Sequence, residues 1–311
     1  MLRGLYFFMS IGLASPLQAK DCHDISLFNT IDAQQLWQDF ASLADKSMQG
    51  RKTGSVGAIK AQKYIQQRFT ELGLAAFTKY PAYQHIFHYP SQLSKNIGVN
   101  VVAYHKGVTF PEQYIVVTAH YDHLGQRGNK VFYGADDNAS GVAALLALAG
   151  KLVKQPSTYS VVFVATDAEE DGLYGAKAFV QDAPVDTQQF ILNLNLDMLA
   201  EGGRRKRLYV TSGKGNDEVD GKIQDVLDKA GICLVKGHRS SLMERSVRQR
   251  VNWRQASDHA AFAKRAIPYL FIGVDTHPRY HTPEDTIEHI DRLFYVAATE
   301  TAWLMLQAFN Q

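Results

Sequence analysis

Largely apolar runs recur along the chain from Tyr114 onward. YIVVTA spans Tyr114 to Ala119, SVVFVA spans Ser160 to Ala165, FILNLNL spans Phe190 to Leu196 and IPYLFIG spans Ile267 to Gly273. Runs this short, with little alternation of apolar and polar positions, predict strands covered on both faces. NIGVNVVAY (Asn96 to Tyr104) predicts an earlier strand, and Leu208 to Thr211 a short one. Between them the period changes. Ala33 to Gly73 reads as mostly helical around a glycine-rich break at Gly50, Gly54 and Gly57. In its second part Ile59, Ala61, Tyr64, Ile65, Phe69 and Leu72 fall near helical spacing, and Gly73 stands where a C-terminal cap belongs. Asn138 to Val153, Gln224 to Ala230 and Ile290 to Phe309 predict further helices, and Gly231 to Val251 a surface loop near the site. Strands alternating with helices predict an α/β fold, its mostly parallel mixed sheet flanked by helices. With no repeat, low-complexity tract or long linker, one globular domain from residue 25 to 311 is the simplest organisation.

The first residues follow another pattern. Arg3 is followed by an apolar stretch from Gly4 to Ala14, too short to span a bilayer, then by Ser15-Pro16-Leu17-Gln18-Ala19 and at once by polar residues. This predicts a signal peptide over residues 1–19 and an exported chain, periplasmic or secreted, with no stable membrane span after cleavage. Only Cys22 and Cys233 occur. In an oxidising compartment they could form one disulfide tying the amino terminus to the body; one exposed and one buried thiol is the alternative. The formal net charge of +2 gives no reason to expect nucleic acid as a partner. The run Arg204-Arg205-Lys206-Arg207 reads as a solvated turn before a strand.

Sites of open α/β sheets form at the carboxyl ends of strands. There the chain offers His120-Tyr121-Asp122-His123, then Asp136-Asp137-Asn138-Ala139-Ser140-Gly141 at a helix start, Glu169-Glu170, Asp197-Met198 and Tyr280-His281. Singly these signals are weak: a strand-end histidine is usually structural, an acidic pair is usually solvated, and a helix-opening Asp is usually a cap. Jointly they gather more carboxylates on one edge than can sit there uncompensated, and histidines with carboxylates and no cysteine suit zinc or a similar divalent ion. In His120-x-Asp122 a carboxylate two positions on could hold the far ring nitrogen of a metal-bound histidine. Of adjacent Glu169 and Glu170, one could bind metal while the other takes a proton from water.

The set resembles the co-catalytic, two-zinc aminopeptidase family that includes bacterial secreted leucine aminopeptidases and aminopeptidase Y. The resemblance is carried by HYDHLG at His120 to Gly125, GADDNASG at Gly134 to Gly141, EEDGLYG at Glu169 to Gly175, NLDM at Asn195 to Met198, SDH at Ser257 to His259 and YHTPEDT at Tyr280 to Thr286, in the family's order. It implies a fold of the zinc-peptidase, phosphorylase/hydrolase-like kind. His120 and Asp197 would hold one Zn2+, Glu170 and His281 the other, and Asp137 would bridge them, with Mn2+ or Co2+ as substitutes. Glu169 would be the general base, Asp122 the partner of His120, and Tyr280 a donor to the oxyanion. A cis Asp137–Asn138 bond is also implied. Asp136 is assigned to the loop, and His23, His85, His88, His105, His123, His238, His259, His277 and His289 to ordinary structural roles, His259 as support for the wall of the cleft.

The implied activity is an aminopeptidase acting on peptides with a free amino terminus; the oligomeric state stays open. Alternatives of the same fold are a one-zinc glutaminyl cyclase-like acyltransferase needing only Asp137, Glu170 and His281, a carboxypeptidase or dipeptidase marked by an arginine for the substrate carboxylate (Arg239, Arg245, Arg248, Arg250 or Arg254), and a non-catalytic binding ectodomain.

Overall fold

Ser55 caps a helix by accepting the Ala58 N–H, and Gly73, the C-terminal cap expected from the sequence, takes the left-handed conformation just past that helix's end. The structure, a computed structural model, describes residues 24–90, 95–213, 217–237 and 251–311. The signal segment, Cys22, His23, His238, Arg239, Arg245, Arg248 and Arg250 lie outside the described residues, as does most of the expected surface loop.

The helices are α1 (Ala33–Leu43), α2 (Val56–Glu71), α3 (Gly141–Leu152), α4 (Tyr174–Gln181), α5 (Asp217–Lys229), α6 (His259–Ala263) and α7 (Arg292–Phe309). The strands are β1 (Gln84–Pro90), β2 (Lys95–His105), β3 (Phe110–His120), β4 (Gly125–Arg127), β5 (Lys130–Phe132), β6 (Tyr159–Thr166), β7 (Phe190–Leu196), β8 (Arg207–Ser212), β9 (Cys233–Lys236) and β10 (Tyr269–Gly273). Eight strands form one sheet in the order β1-β2-β6-β3-β7-β10-β8-β9. β6, β3, β7 and β10 pair in parallel at its centre, and antiparallel pairs β1–β2, β2–β6 and β10–β8 lie toward the margins. The mostly parallel mixed α/β sheet expected from the apolar runs is therefore present.

The central strands bury both faces, which is why they lack alternation. Ile115, Val117, Val161, Phe163 and Leu194 pack with residues of α1, α2, α3 and α7. Val116, Val162 and Val164 pack on the other face with Phe179 of α4 and Phe262 of α6. Each fully buried large apolar side chain contributes about 1.5–3 kcal/mol. The helix expected from Asn138 begins at Gly141 instead, because residues 135–140 form a wider turn containing a cis Asp137–Asn138 bond. The basic run forms a turn entering β8, with Arg204 and Arg205 exposed and Lys206 and Arg207 half-buried. No helix among the described residues is long and apolar enough to cross a membrane.

The segment after residue 24 is tied to the body. Ser26 N–H donates to Gly231 O at 2.7 Å, and the buried Glu300 carboxylate accepts the N–H groups of Phe28 (2.8 Å) and Thr30 (2.7 Å). Cys233, near the same corner, is disulfide-bonded.

β1 contributes a pH-sensitive element. His85 is 3% exposed, accepts from Asn100 Nδ2 at 3.0 Å and stacks on Tyr80. Burial pushes its pKa from 6.5 down to about 4, with Asp182 opposing, so the ring is neutral in the fold. The unfolded chain takes up this proton at higher pH, so stability is full above about pH 6.5 and falls as the pH drops toward 4, by roughly 2–3 kcal/mol. His259, also pushed down to about 4 by burial, acts in the same direction. Urea unfolding between pH 7 and 4 should show this loss, and His85→Gln should remove about half of it; an unchanged slope in that variant would assign the loss to other groups.

Candidate metal centre

His120 is the last residue of β3, paired with Thr166 at the end of β6. Glu169 and Glu170 follow β6, Asp197 follows β7, and Tyr280 and His281 lie in the loop after β10. The parallel strands thus bring their carboxyl ends, and these side chains, to one edge. Asp137 enters from the turn before α3. Gly134 opens that turn at φ 56°, and a Cβ there would lie 2.1 Å from Asp137 O and 2.5 Å from the His123 ring, so the close approach requires glycine.

Asp137 sits at the middle of the group. Its Oδ1 is 3.3 Å from His120 Nε2, which is also 3.3 Å from Asp197 Oδ1. Its Oδ2 is 3.0 Å from His281 Nε2, which lies 3.3 Å from Glu170 Oε2. The sequence-predicted residues His120, Asp137, Glu170, Asp197 and His281 are therefore brought together as two subclusters sharing one carboxylate. Glu169 and Tyr280 border the same cavity, of about 170 Å³, whose wall includes Met198, Val251, Trp253, Phe271 and Val274.

Asp122 stands beside His120, as expected, and has a second set of contacts. His120 Nδ1 lies nearer to the main-chain O of Asp122 (3.1 Å) than to its carboxylate (3.8 Å). The carboxylate also accepts the N–H groups of Glu169 (3.0 Å) and Glu170 (3.3 Å), fixing the acidic pair. His123 is drawn in as well: its Nδ1 is 2.7 Å from Glu170 Oε1, leaving Oε2 for His281. Nothing in the sequence separates His123 from the other histidines, although it stands inside the quoted HYDHLG segment. His277 is a further addition. It sits between Asp136 Oδ2 (3.2 Å) and Glu201 Oε2 (3.1 Å), and Arg279 also pairs with Glu201. These contacts tie the loop of Tyr280 and His281 to the turn of Asp137. His259 Nε2 faces Trp253 O at 3.0 Å and its ring stacks on Phe271, so it lies behind two residues that line the cavity.

The electrostatics call for a cation. Burial opposes a charged His120 ring, yet Asp197, Glu169 and Asp137 outweigh it and hold the pKa well above the ordinary value. Burial likewise opposes a charged His281, but Asp137 and Glu170 raise its pKa to about 10. Burial would raise Asp137, but His120, His281 and His123 draw it well below the carboxylate range. Glu169 is raised well above its usual value by burial, with His120 opposing and Asp197, Asp258 and Glu170 adding to the rise. Histidines that hold protons this tightly mark a site where a bound metal could supply the positive charge instead. The donor set fits one: single ligand atoms of His120, Asp137 and Asp197 lie within 4.8 Å of one another, and so do those of His123, Asp137 and Glu170.

Residues 100–306, more than half of the chain, match the model of peptidase family M28. The chain belongs to this family. Among relatives, it is similar to aminopeptidase YwaD of Bacillus subtilis (strain 168), 31% identical over 259 residues, covering 79% of this chain and 50% of that protein. It is also similar to the alkaline phosphatase isozyme conversion protein of Escherichia coli (strain K12), 30% identical over 204 residues, covering 61% of this chain and 56% of that protein. The chain thus spans about half the length of these curated relatives. Among M28-like folds, the zinc aminopeptidase BSAP of Bacillus subtilis superposes with a TM-score of 0.66 at 18% identity, over 89% of this chain and 94% of that chain. A glutaminyl cyclase of Porphyromonas gingivalis superposes with a TM-score of 0.69 at 19% identity, over 90% and 99%. At such identities the likeness is one of fold.

Proposed function

We propose that this chain is an exported, zinc-dependent aminopeptidase that uses two metal ions, with residues 1–19 as its signal peptide and residues 25–311 as its catalytic domain. The observation that carries the two-ion reading is the division of the Asp137 carboxylate, one oxygen toward His120 and Asp197, the other toward His281 and Glu170. His120, Asp137 and Asp197 would hold one ion, and Asp137, Glu170 and His281 the other. Bound metal supplies Lewis acidity, lowering the pKa of a water and polarising the scissile carbonyl.

The chain's own groups do the remaining work. Glu169 takes the proton of the attacking water and returns it to the leaving amine. Asp122, through its bonds to the Glu169 and Glu170 N–H groups, keeps that base in place. Tyr280, whose pKa is raised by burial and then by Asp137 and Glu170, keeps its hydroxyl proton for donation to the oxyanion. The acidic edge favours a free substrate amino group, and the apolar wall of the cavity favours an apolar first side chain. A glutaminyl cyclase-like reaction uses Asp137, Glu170 and His281 and leaves the His120–Asp197 contact without a role.

The test combines metal counting with turnover on free and amino-blocked peptides. We expect two equivalents of metal per chain, loss of activity on chelation, recovery with zinc or cobalt, and no cleavage of blocked peptides. Full activity of a demonstrably metal-free sample would overturn the reading, and a single equivalent with cyclisation of amino-terminal glutamine would favour the cyclase.

A further inference from the structure

Arg51 is 1% exposed, and among the described residues its hydrogen bonds go to main-chain carbonyls. Nε donates to Tyr121 O at 2.7 Å, Nη1 to Leu43 O at 2.7 Å and Tyr133 O at 2.8 Å, and Nη2 to Gly134 O at 2.8 Å. Tyr121 lies between His120 and Asp122. Tyr133 and Gly134 lead directly into the turn that carries Asp137. Three of these bonds therefore join the two loops whose side chains meet at the metal cluster, and the fourth anchors them to the end of α1. The approach is built into the chain: Gly50 has φ 66°, and a Cβ there would lie 2.2 Å from Phe132 O and 2.6 Å from Gly125 O.

A buried guanidinium bonded only to carbonyls is costly unless negative charge lies near it. That charge comes first from Asp285 and then from the carboxylates at the cluster. Burial lowers the Arg51 pKa to about 10 while Asp285, Asp137, Asp122 and Glu170 oppose the fall, so the group stays cationic at neutral pH.

We propose that Arg51 is a positioning residue for the metal centre: its planar fork fixes the His120–Asp122 loop to the Asp137 turn and assembles the ligands before an ion arrives. The inference rests on the metal-dependent reading above. A lysine would keep the charge but, with donors radiating from one nitrogen, could not span carbonyls on three segments.

The test is zinc affinity, measured by competition with a chromogenic chelator on metal-free full-length wild-type, Arg51→Lys and Arg51→Gln chains, with urea unfolding of each metal-free form as the folding control. Both variants should bind zinc about 10–100-fold more weakly, the usual effect of removing a group that orients metal ligands. Wild-type affinity in folded Arg51→Lys would overturn the proposal, since charge alone would then suffice, and wild-type affinity in folded Arg51→Gln would overturn it outright. Should the variants not fold, metal-free wild-type chain labelled with 15N-arginine decides: the Arg51 Nε–H should already be hydrogen-bonded and slow to exchange with solvent before zinc is added, and a fast-exchanging Arg51 Nε–H overturns the clamp. Failure of the wild type to bind zinc at all would instead overturn the metal reading on which the proposal rests.

Discussion

Glu169→Gln should lower kcat by about two to four orders of magnitude, the usual size of a general-base loss, while metal content stays near that of the wild type. The substitution keeps the shape of the side chain and removes only its ability to take a proton. KM should change little because ground-state contacts survive. Glu170→Gln should behave differently although the side chains are identical. Glu170 Oε2 faces His281 and its Oε1 is held by His123, so it belongs to one subcluster of ligands. Its neutral amide should reduce occupancy at one of the two proposed positions, and excess zinc should recover part of the activity. The same excess should leave Glu169→Gln inactive. Metal analysis beside steady-state kinetics on a peptide anilide separates the two. The reverse pattern would mean that the roles are exchanged, and wild-type turnover in both variants would remove this acidic pair from the chemistry.

What the sequence disclosed and what it withheld follow from the kind of interaction involved. β3, β6, β7 and β10 were legible because strands covered on both faces must be apolar almost throughout. β1 escaped because it alternates: its buried positions include His85 beside Phe87 and Tyr89, and its exposed ones Ile86 and His88, so QHIFHYP carries no clear apolar face. α4 is too short for its periodicity to register, and its Gly175 is present because a Cβ would lie 2.2 Å from Asp167 O. At the centre, the proposed ligands were legible from type and position: His120, Asp137, Glu170, Asp197 and His281 all converge. Groups that act through the backbone were not. The Asp122 carboxylate holds two N–H groups besides pairing with the His120 ring, and Arg51 binds carbonyls, which every residue possesses and no sequence pattern marks. His123 and His281 both face Glu170, and only the fold reveals that they do so through different oxygens.

Asp285 belongs with the residues whose work is done on the backbone, and removing its charge should disturb the site from a distance. It is 1% exposed. Oδ1 accepts the Asp136 N–H at 2.9 Å and Oδ2 accepts the Asp137 N–H at 3.1 Å, while its own carbonyl accepts Ala135 N–H at 3.2 Å. One carboxylate thus satisfies two successive buried donors in the turn that presents the shared ligand. Asp285→Asn keeps the volume but turns an amide NH2 toward one of those donors, so one bond is lost and a repulsion replaces it. A hydrogen bond to a charged group contributes about 1.5–3 kcal/mol, and a buried donor left without a partner costs a similar amount. We therefore expect the metal-free Asp285→Asn chain to be about 2–3 kcal/mol less stable to urea than the wild type, and Asp285→Ala, which orphans both donors, about 3–5 kcal/mol less stable. Zinc affinity should fall with stability in both variants, because the loosened turn no longer holds the Asp137 oxygens between His120 and His281. Activity at saturating zinc should recover more fully in Asp285→Asn than in Asp285→Ala, since the ion, once bound, restrains the same carboxylate. An Asp285→Asn chain with wild-type stability and wild-type zinc affinity would show that the two N–H bonds do not hold the turn, and that His277 and Asp136 fasten it alone.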